Sequence, residues 1–204
     1  MNTASFSATR PAVTEWRLPS RGTVGMLLFI GAETSLFAIF LSAYLYYIGK
    51  SISGPTPREV LHFPVAMTVA LLSSSVTIHL ATMALHRGAT RAFAALWFLT
   101  IALGVGFLLG TAQEWRELIA VHHLTIHTNL FGTTYYALVG LHASHVVAGL
   151  VMLSLAMLFT LMGRVHPADL PRLEVVSLYW HLVDMIWLFL MPLLYLAGAG
   201  LGKH

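Results

Sequence analysis

Five long apolar stretches, separated by short polar breaks, set the pattern of this chain. A helix needs roughly 20 residues to cross a hydrocarbon core. Stretches of that length fall near 23–48, 64–86, 92–117, 131–162 and 175–200. The breaks have physical causes. Ser53-Gly54-Pro55-Thr56-Pro57 cannot continue a helix, and Pro64 suits a first helical turn. The short link from His86 to Arg91 makes segments two and three an antiparallel hairpin. A polar stretch with His122, His123 and His127 separates segments three and four. Gly163-Arg164-Val165-His166-Pro167 ends segment four, and Pro171 stands just before segment five. Pro192 falls inside segment five, where a kink is expected. The reading is an all-α integral membrane bundle. Residues 1–22 form a polar N-terminal segment, and 23–204 form one five-helix transmembrane domain.

Composition agrees with the pattern. The chain is 57% hydrophobic and 9% charged, with a mean hydropathy of +0.78. Soluble domains carry about 25% charged residues. The net charge of +3 reflects basic loop ends rather than a nucleic-acid surface. The absence of cysteine excludes disulfides, thiolate metal sites, iron–sulfur clusters and covalent c-type haem. Residues 1–22 hold no apolar run followed by a small-residue cleavage site, so no signal peptide is expected. Lys and Arg set the orientation. Arg10, Arg17, Arg21, Arg87, Arg91, Arg164 and Arg172 fall on one side, and Lys50, Arg58, Arg116 and Lys203 on the other. That excess places the N-terminus in the cytoplasm and the C-terminus outside.

Lipid gives no hydrophobic reward for helix association, so small residues and internal polar groups must supply it. Gly106 and Gly110 form a GxxxG pair on segment three. Gly140, Ser144 and Ala148 form a small stripe on segment four, and Ser73 and Thr77 share a face of segment two. These point to packing within one subunit, with a docking face for a partner as the sharper alternative.

The candidate chemistry lies in ionisable groups within the spans. A charged side chain in hydrocarbon is costly and is a functional candidate by default. Glu33 stands about ten residues into segment one, about 15 Å from its inner end at 1.5 Å per residue. Glu114 stands near the outer end of segment three. Segment four carries the i, i+3 pair His142 and His145. Segment five carries His181 and Asp184 at the same spacing, with Trp180 and Trp187 close by. Three readings compete. His142, His145, His181 and Asp184 suggest a carboxylate–histidine metal centre, and His79 with His145 suggests a bis-histidine haem. Against this, Glu33 and Glu114 sit at different depths. The second reading is that the groups satisfy one another and bind the helices together, as buried charges must. Trp180 and Trp187 would then offer N–H donors or interfacial anchors, and His181 would reach a lipid headgroup. The third gives Glu33 a part in proton uptake. Tyr44, Tyr47, Tyr135 and Tyr136 read as interfacial belt residues. No GxSxG elbow, P-loop or HExxH motif is present.

The five segments together resemble subunit III of the haem-copper oxidases (the cytochrome c oxidase family), in its short five-helix bacterial form. The similarity runs from about Gly25 to Tyr195. It rests on the run from Gly25 through Glu33 to Phe37, on Leu71 to Thr77, and on Leu103 to Phe107 followed by Glu114-Trp115. It continues through Phe131 to Tyr136, leading to Gly140-Leu-His142-Ala-Ser-His145, and through Tyr179-Trp-His181-Leu-Val-Asp184-Met-Ile-Trp187. The chain departs from the family pattern at Ala32, Thr111 and Val139, where Ser, Gln and Thr are usual. The resemblance implies an accessory subunit without redox centre or catalysis of its own, haem and copper being held by partner subunits. It implies packing against oxidase subunit I, bound phospholipid, and support of proton uptake in a proton-translocating terminal oxidase of the aerobic respiratory chain. The setting would be a bacterial inner membrane. Glu33 matches the family's carbodiimide-reactive carboxylate. Glu114, His142, His145, Trp180, His181, Asp184 and Trp187 then form a structural or lipid-binding polar network, with no metal and no catalytic residue. A cytochrome c donor is preferred to quinol. A quinol oxidase subunit, a subunit-III-like protein of a nitric oxide reductase, and a stand-alone membrane metalloprotein using His142, His145, His181 and Asp184 are the alternatives.

Overall fold

The computed structural model describes residues 21–51, 53–61, 64–164 and 169–197. Six α-helices follow in order: α1 (Arg21–Tyr47), α2 (Pro57–Val60), α3 (Val65–His86), α4 (Thr90–Ala120), α5 (Leu130–Leu161) and α6 (Leu170–Pro192). A π-helical turn, Leu193–Ala197, continues α6. All but the four-residue α2 are long and apolar enough to cross a membrane. The described residues contain no strand. Helices suit this composition because each satisfies its own backbone hydrogen bonds where no water can. Most of the polar N-terminal segment, together with His166, Pro167 and Lys203, lies outside the described residues.

The five expected spans are all present, and their ends are set by local chemistry. The chain leaves α3 through Gly88 at φ 73°. That conformation lets the Ala89 N–H reach back to Ala84 O at 2.9 Å, closing the last turn. Gly163, at φ 67°, does the same for α5, with Arg164 N–H donating to Phe159 O at 3.0 Å. At the other end of α5 the Asn129 side chain accepts from Gly132 N–H at 2.8 Å, as an N-cap should. Two boundaries differ from expectation. The final span starts at Leu170, so Pro171 lies inside its first turn, where a missing N–H costs nothing. The disturbance expected at Pro192 takes the form of a π turn.

The helices form a bundle in which α6 is central. It packs against α1, α3 and α5, while α3 pairs with α4 and α4 with α5. Burial follows this order. Helix α1 buries only Phe37 and Tyr44, whereas α6 buries nine residues, among them Tyr179, Trp180, Asp184 and Trp187.

The small-residue stripes account for only part of the close packing. Gly106 has open space around it, while Gly110 meets Met67. Gly140 gives room to Trp115, but Ser144 and Ala148 are exposed. Comparably tight contacts outside the stripes are Gly104 on α4 and Gly149 on α5, which both close on the Trp180 ring. A Cβ at either position would stand 2.7 Å from an indole carbon. The Trp180 N–H donates to Ser74 Oγ at 2.8 Å, which adds α3 to the same joint. Trp97 N–H to Leu153 O (2.9 Å) ties α4 to α5, and Tyr44 O–H to Leu194 O (3.1 Å) ties α1 to the π turn.

Candidate functional site

The intramembrane polar residues resolve into four separate groups around α6 rather than one centre. The first joins α1 to α5. His145 Nε2 lies 2.9 Å from Glu33 Oε2, and His145 Nδ1 lies 2.8 Å from Leu141 O. A carbonyl can only accept, so Nδ1 carries a proton. One further proton occupies the contact between Nε2 and Oε2. It makes either a carboxylic acid facing a neutral imidazole or a carboxylate facing an imidazolium. The pair is neutral overall in both forms, which answers the cost of burying a lone charge. Tyr179 O–H donates to the His145 carbonyl at 3.2 Å, and Phe37 covers the imidazole with ring centroids 5.2 Å apart. The site keeps some exposure, 16% for the Glu33 side chain and 13% for that of His145.

The second group joins α3 to α6. Ser75 Oγ donates to Asp184 Oδ2 and lies 3.0 Å from His181 Nδ1. Asp184 is 2% exposed, and its Oδ1 has no hydrogen-bond partner among the described residues. His181 thus turns its Nδ1 to Ser75.

The third group surrounds Glu114, whose Oε1 accepts from Tyr195 O–H (2.7 Å) and Tyr135 O–H (3.2 Å). Tyr135 is fully buried and Tyr44 likewise, so neither is the interfacial belt residue expected; Tyr47 is exposed. Thr111, at the position where the family usually has Gln, bonds Phe107 O at 3.1 Å within its own helix.

The fourth group is His142 alone. It is wholly buried, and neither ring nitrogen has a hydrogen-bond partner among the described residues. Its surroundings are aromatic. Trp187 stacks on it at 5.1 Å, with Phe107 edge-on at 5.7 Å and Phe37 at 6.3 Å. Trp187 in turn donates its N–H to Thr68 Oγ1 at 3.2 Å.

The residues read as one possible metal set therefore go to different partners. His145 pairs with Glu33, His181 and Asp184 with Ser75, and His142 with three aromatic rings. Among the described residues no group of three or more His, Cys, Asp or Glu is arranged to hold a metal ion. The sequence reading missed Ser75, Tyr135, Tyr179 and Tyr195 as partners of the charged groups. Ser75 was legible in principle. It lies eleven residues from His86 on a face shared with His79 and Thr82, a helical repeat matching that of Glu174, Ser177, His181 and Asp184. Tyr195 was not legible, because it lies within the π turn, which shifts the register of the helix face.

Five spans with a partly buried Glu–His pair, and further carboxyl groups bound by Ser and Tyr, describe a polytopic membrane protein. A family model described as cytochrome c oxidase subunit III matches residues 19–199. The chain is 35% identical over 180 residues to cytochrome c oxidase subunit 3 of Bacillus sp. (strain PS3), covering 86% of this chain and 85% of that one. It is 31% identical over 179 residues to the protein of that name from Alkalihalophilus pseudofirmus, covering 87% of each, and 32% identical over 180 residues to that of Bacillus subtilis, covering 86% of each. The chain belongs to the cytochrome c oxidase subunit III family.

Proposed function

We propose that the chain is the non-catalytic subunit III of a proton-translocating haem-copper terminal oxidase of the cytochrome c oxidase type. It packs beside subunit I in a bacterial plasma membrane, with its Arg-rich face toward the cytoplasm. It binds phospholipid and sustains proton uptake and turnover of the complex, whose haem and copper sit in partner subunits. The observation that carries this reading is the family match over nearly the whole chain. Its most telling local feature is a carboxyl group held at mid-span by an imidazole on a neighbouring helix. In a group of that kind, a proton gained or lost leaves its charge shared between two hydrogen-bonded side chains rather than on a lone carboxylate. Its residual exposure leaves the pair within reach of a partner or lipid on that side of the bundle.

The test is Glu33→Gln in the assembled oxidase. Initial turnover stays at the native level, and activity falls faster over many cycles or proton uptake slows. Native-like endurance in the variant rejects the role of Glu33. Copurification with a large apolar subunit showing haem absorbance tests the assignment to an oxidase. A solitary chain carrying stoichiometric iron or copper supports the stand-alone metalloprotein instead.

A further inference from the structure

A polar column runs down the seam between α3 and α6, on a face that the Glu33 site does not share. Helix α3 presents His86, Thr82, His79 and Ser75, and antiparallel α6 presents Glu174, Ser177, His181 and Asp184. At the mouth, by the Arg-rich end, His86 Nε2 and Glu174 Oε1 lie 3.0 Å apart, both side chains more than half exposed. Below them is an open-sided cavity of about 290 Å³, lined by His79, Thr82, His86, Glu174, Ser177 and His181 among others. At its floor His181 meets Ser75, and Ser75 meets Asp184. Ten residues separate Glu174 from Asp184, about 15 Å along the helix at 1.5 Å per residue, or half the hydrocarbon thickness. Beyond Asp184 the polar path stops at Trp187 and His142, which stack on each other.

We propose that Ser75, His181 and Asp184 form a reversible proton-holding relay, loaded from the Arg-rich face through the cavity beneath His86 and Glu174. The geometry supplies two complementary hydrogen-bond patterns. In the first, His181 Nδ1–H donates to Ser75 Oγ, and the Ser75 O–H donates to the Asp184 carboxylate. A proton reaching Nε2, the ring nitrogen that Ser75 leaves free, makes His181 an imidazolium. The Nδ1 proton then passes to Oγ as the former Ser75 proton passes to Oδ2. The second pattern results. Asp184 is a neutral acid donating to Ser75, Ser75 donates to Nδ1, and His181 is neutral with its proton on Nε2. One proton has entered, one carboxylate has been neutralised, and each hydrogen bond between the three side chains is kept with its direction reversed. A side chain with one O–H and two lone pairs is the natural middle member. The unpartnered Asp184 Oδ1 fits the same reading, because a carboxyl that must lose its charge is better left with few donors.

Other titratable groups stand close. His79 and His86 face the cavity from α3, and Glu174 faces it from α6. His145 with Glu33 lies beyond Tyr179, two residues and about 200° around α6 from His181. His142 lies beyond Trp187. The relay does not depend on the oxidase assignment or on any role of Glu33.

The test uses the full chain in lipid nanodiscs and infrared difference spectra across a step to lower pH. A protonated-carboxyl band is expected, lost in Asp184→Asn and retained in Glu33→Gln. Ser75→Ala should slow its appearance by roughly a hundredfold, the usual scale for a positioned proton-transfer group. Native protein labelled with 15N-histidine gives a readout independent of any variant. The His181 proton should move from Nδ1 to Nε2 as the band grows. A His181 tautomer that stays fixed, a band that survives Asp184→Asn, or native loading speed in Ser75→Ala overturns the proposal.

Discussion

Glu33 and Asp184 are both carboxyl groups near mid-span, yet the bundle treats them differently. Glu33 belongs to α1, the least buried span, and meets an imidazole directly. Asp184 belongs to α6, the most enclosed, and meets an imidazole only through a serine hydroxyl. The direct pair stays neutral by sharing one proton within itself. The mediated group must gain or lose a proton along its seam to change charge. The contrast shows that depth in the membrane does not alone define what a buried acid can do. The number of atoms between it and its base, and the path to water, decide the rest.

The strongest way to break the comparison is to remove the scaffold common to both sites. Trp180→Ala empties the space between Gly104 and Gly149 and should cost about 3–5 kcal/mol. An SDS titration of helical circular dichroism in mixed micelles measures it, and a change below the scatter of a lipid-facing Leu→Ala control contradicts this joint. Next comes Asp184→Asn. Loss of a charge-assisted bond in a buried seam should weaken the bundle by about 1–3 kcal/mol and loosen the subunit in the assembled oxidase. Subunit retention after detergent purification reads the second effect, and full retention counts against it. The Glu33 pair should contribute less. A double-mutant cycle of Glu33→Gln with His145→Ala is expected to give a coupling near 1 kcal/mol, within the range of interhelical hydrogen bonds in membranes. Zero coupling would mean that the 2.9 Å contact holds nothing together. The smallest effect sharpens the contrast from the opposite direction. His142 leaves two polar atoms unpaired among aromatic rings, so His142→Phe should be neutral or raise stability by up to about 1 kcal/mol. A clear loss in thermal unfolding would reveal a partner for the imidazole.

The five spans were legible because apolar length and helix breakers act locally. Gly88 and Gly163 end helices by their own backbone conformation, which no distant contact needs to enforce. The charged residues of the site were legible for a related reason, since an ionisable side chain inside an apolar run stands out against its neighbours. Their partners were not. Glu33 and His145 are 112 residues apart, and Ser75 and Asp184 are 109 apart. No local rule pairs them. Tyrosines misled for a physical reason. An amphipathic ring suits a membrane interface, but it equally suits a buried acceptor, and only packing decides. Tyr135 goes to Glu114 and Tyr44 to a backbone carbonyl, while Tyr47 stays at the surface. The small-residue stripes were only partly informative, since Gly110 meets Met67 while Gly106 has open space. Gly104 and Gly149 matter because one indole lies against both, which a single-helix pattern cannot reveal.

The central position of α6 bears on how the protein is made. It is the last described span to be synthesised, yet it touches α1, α3 and α5. The earlier spans thus enter the bilayer before their common neighbour exists. Until α6 arrives, Ser74, Ser75 and Thr68 on α3 lack the four side chains that later engage them. Ser74 can meanwhile donate to Leu71 O of its own helix, but a ribosome stalled before Leu170 would leave a set of membrane helices with no keystone.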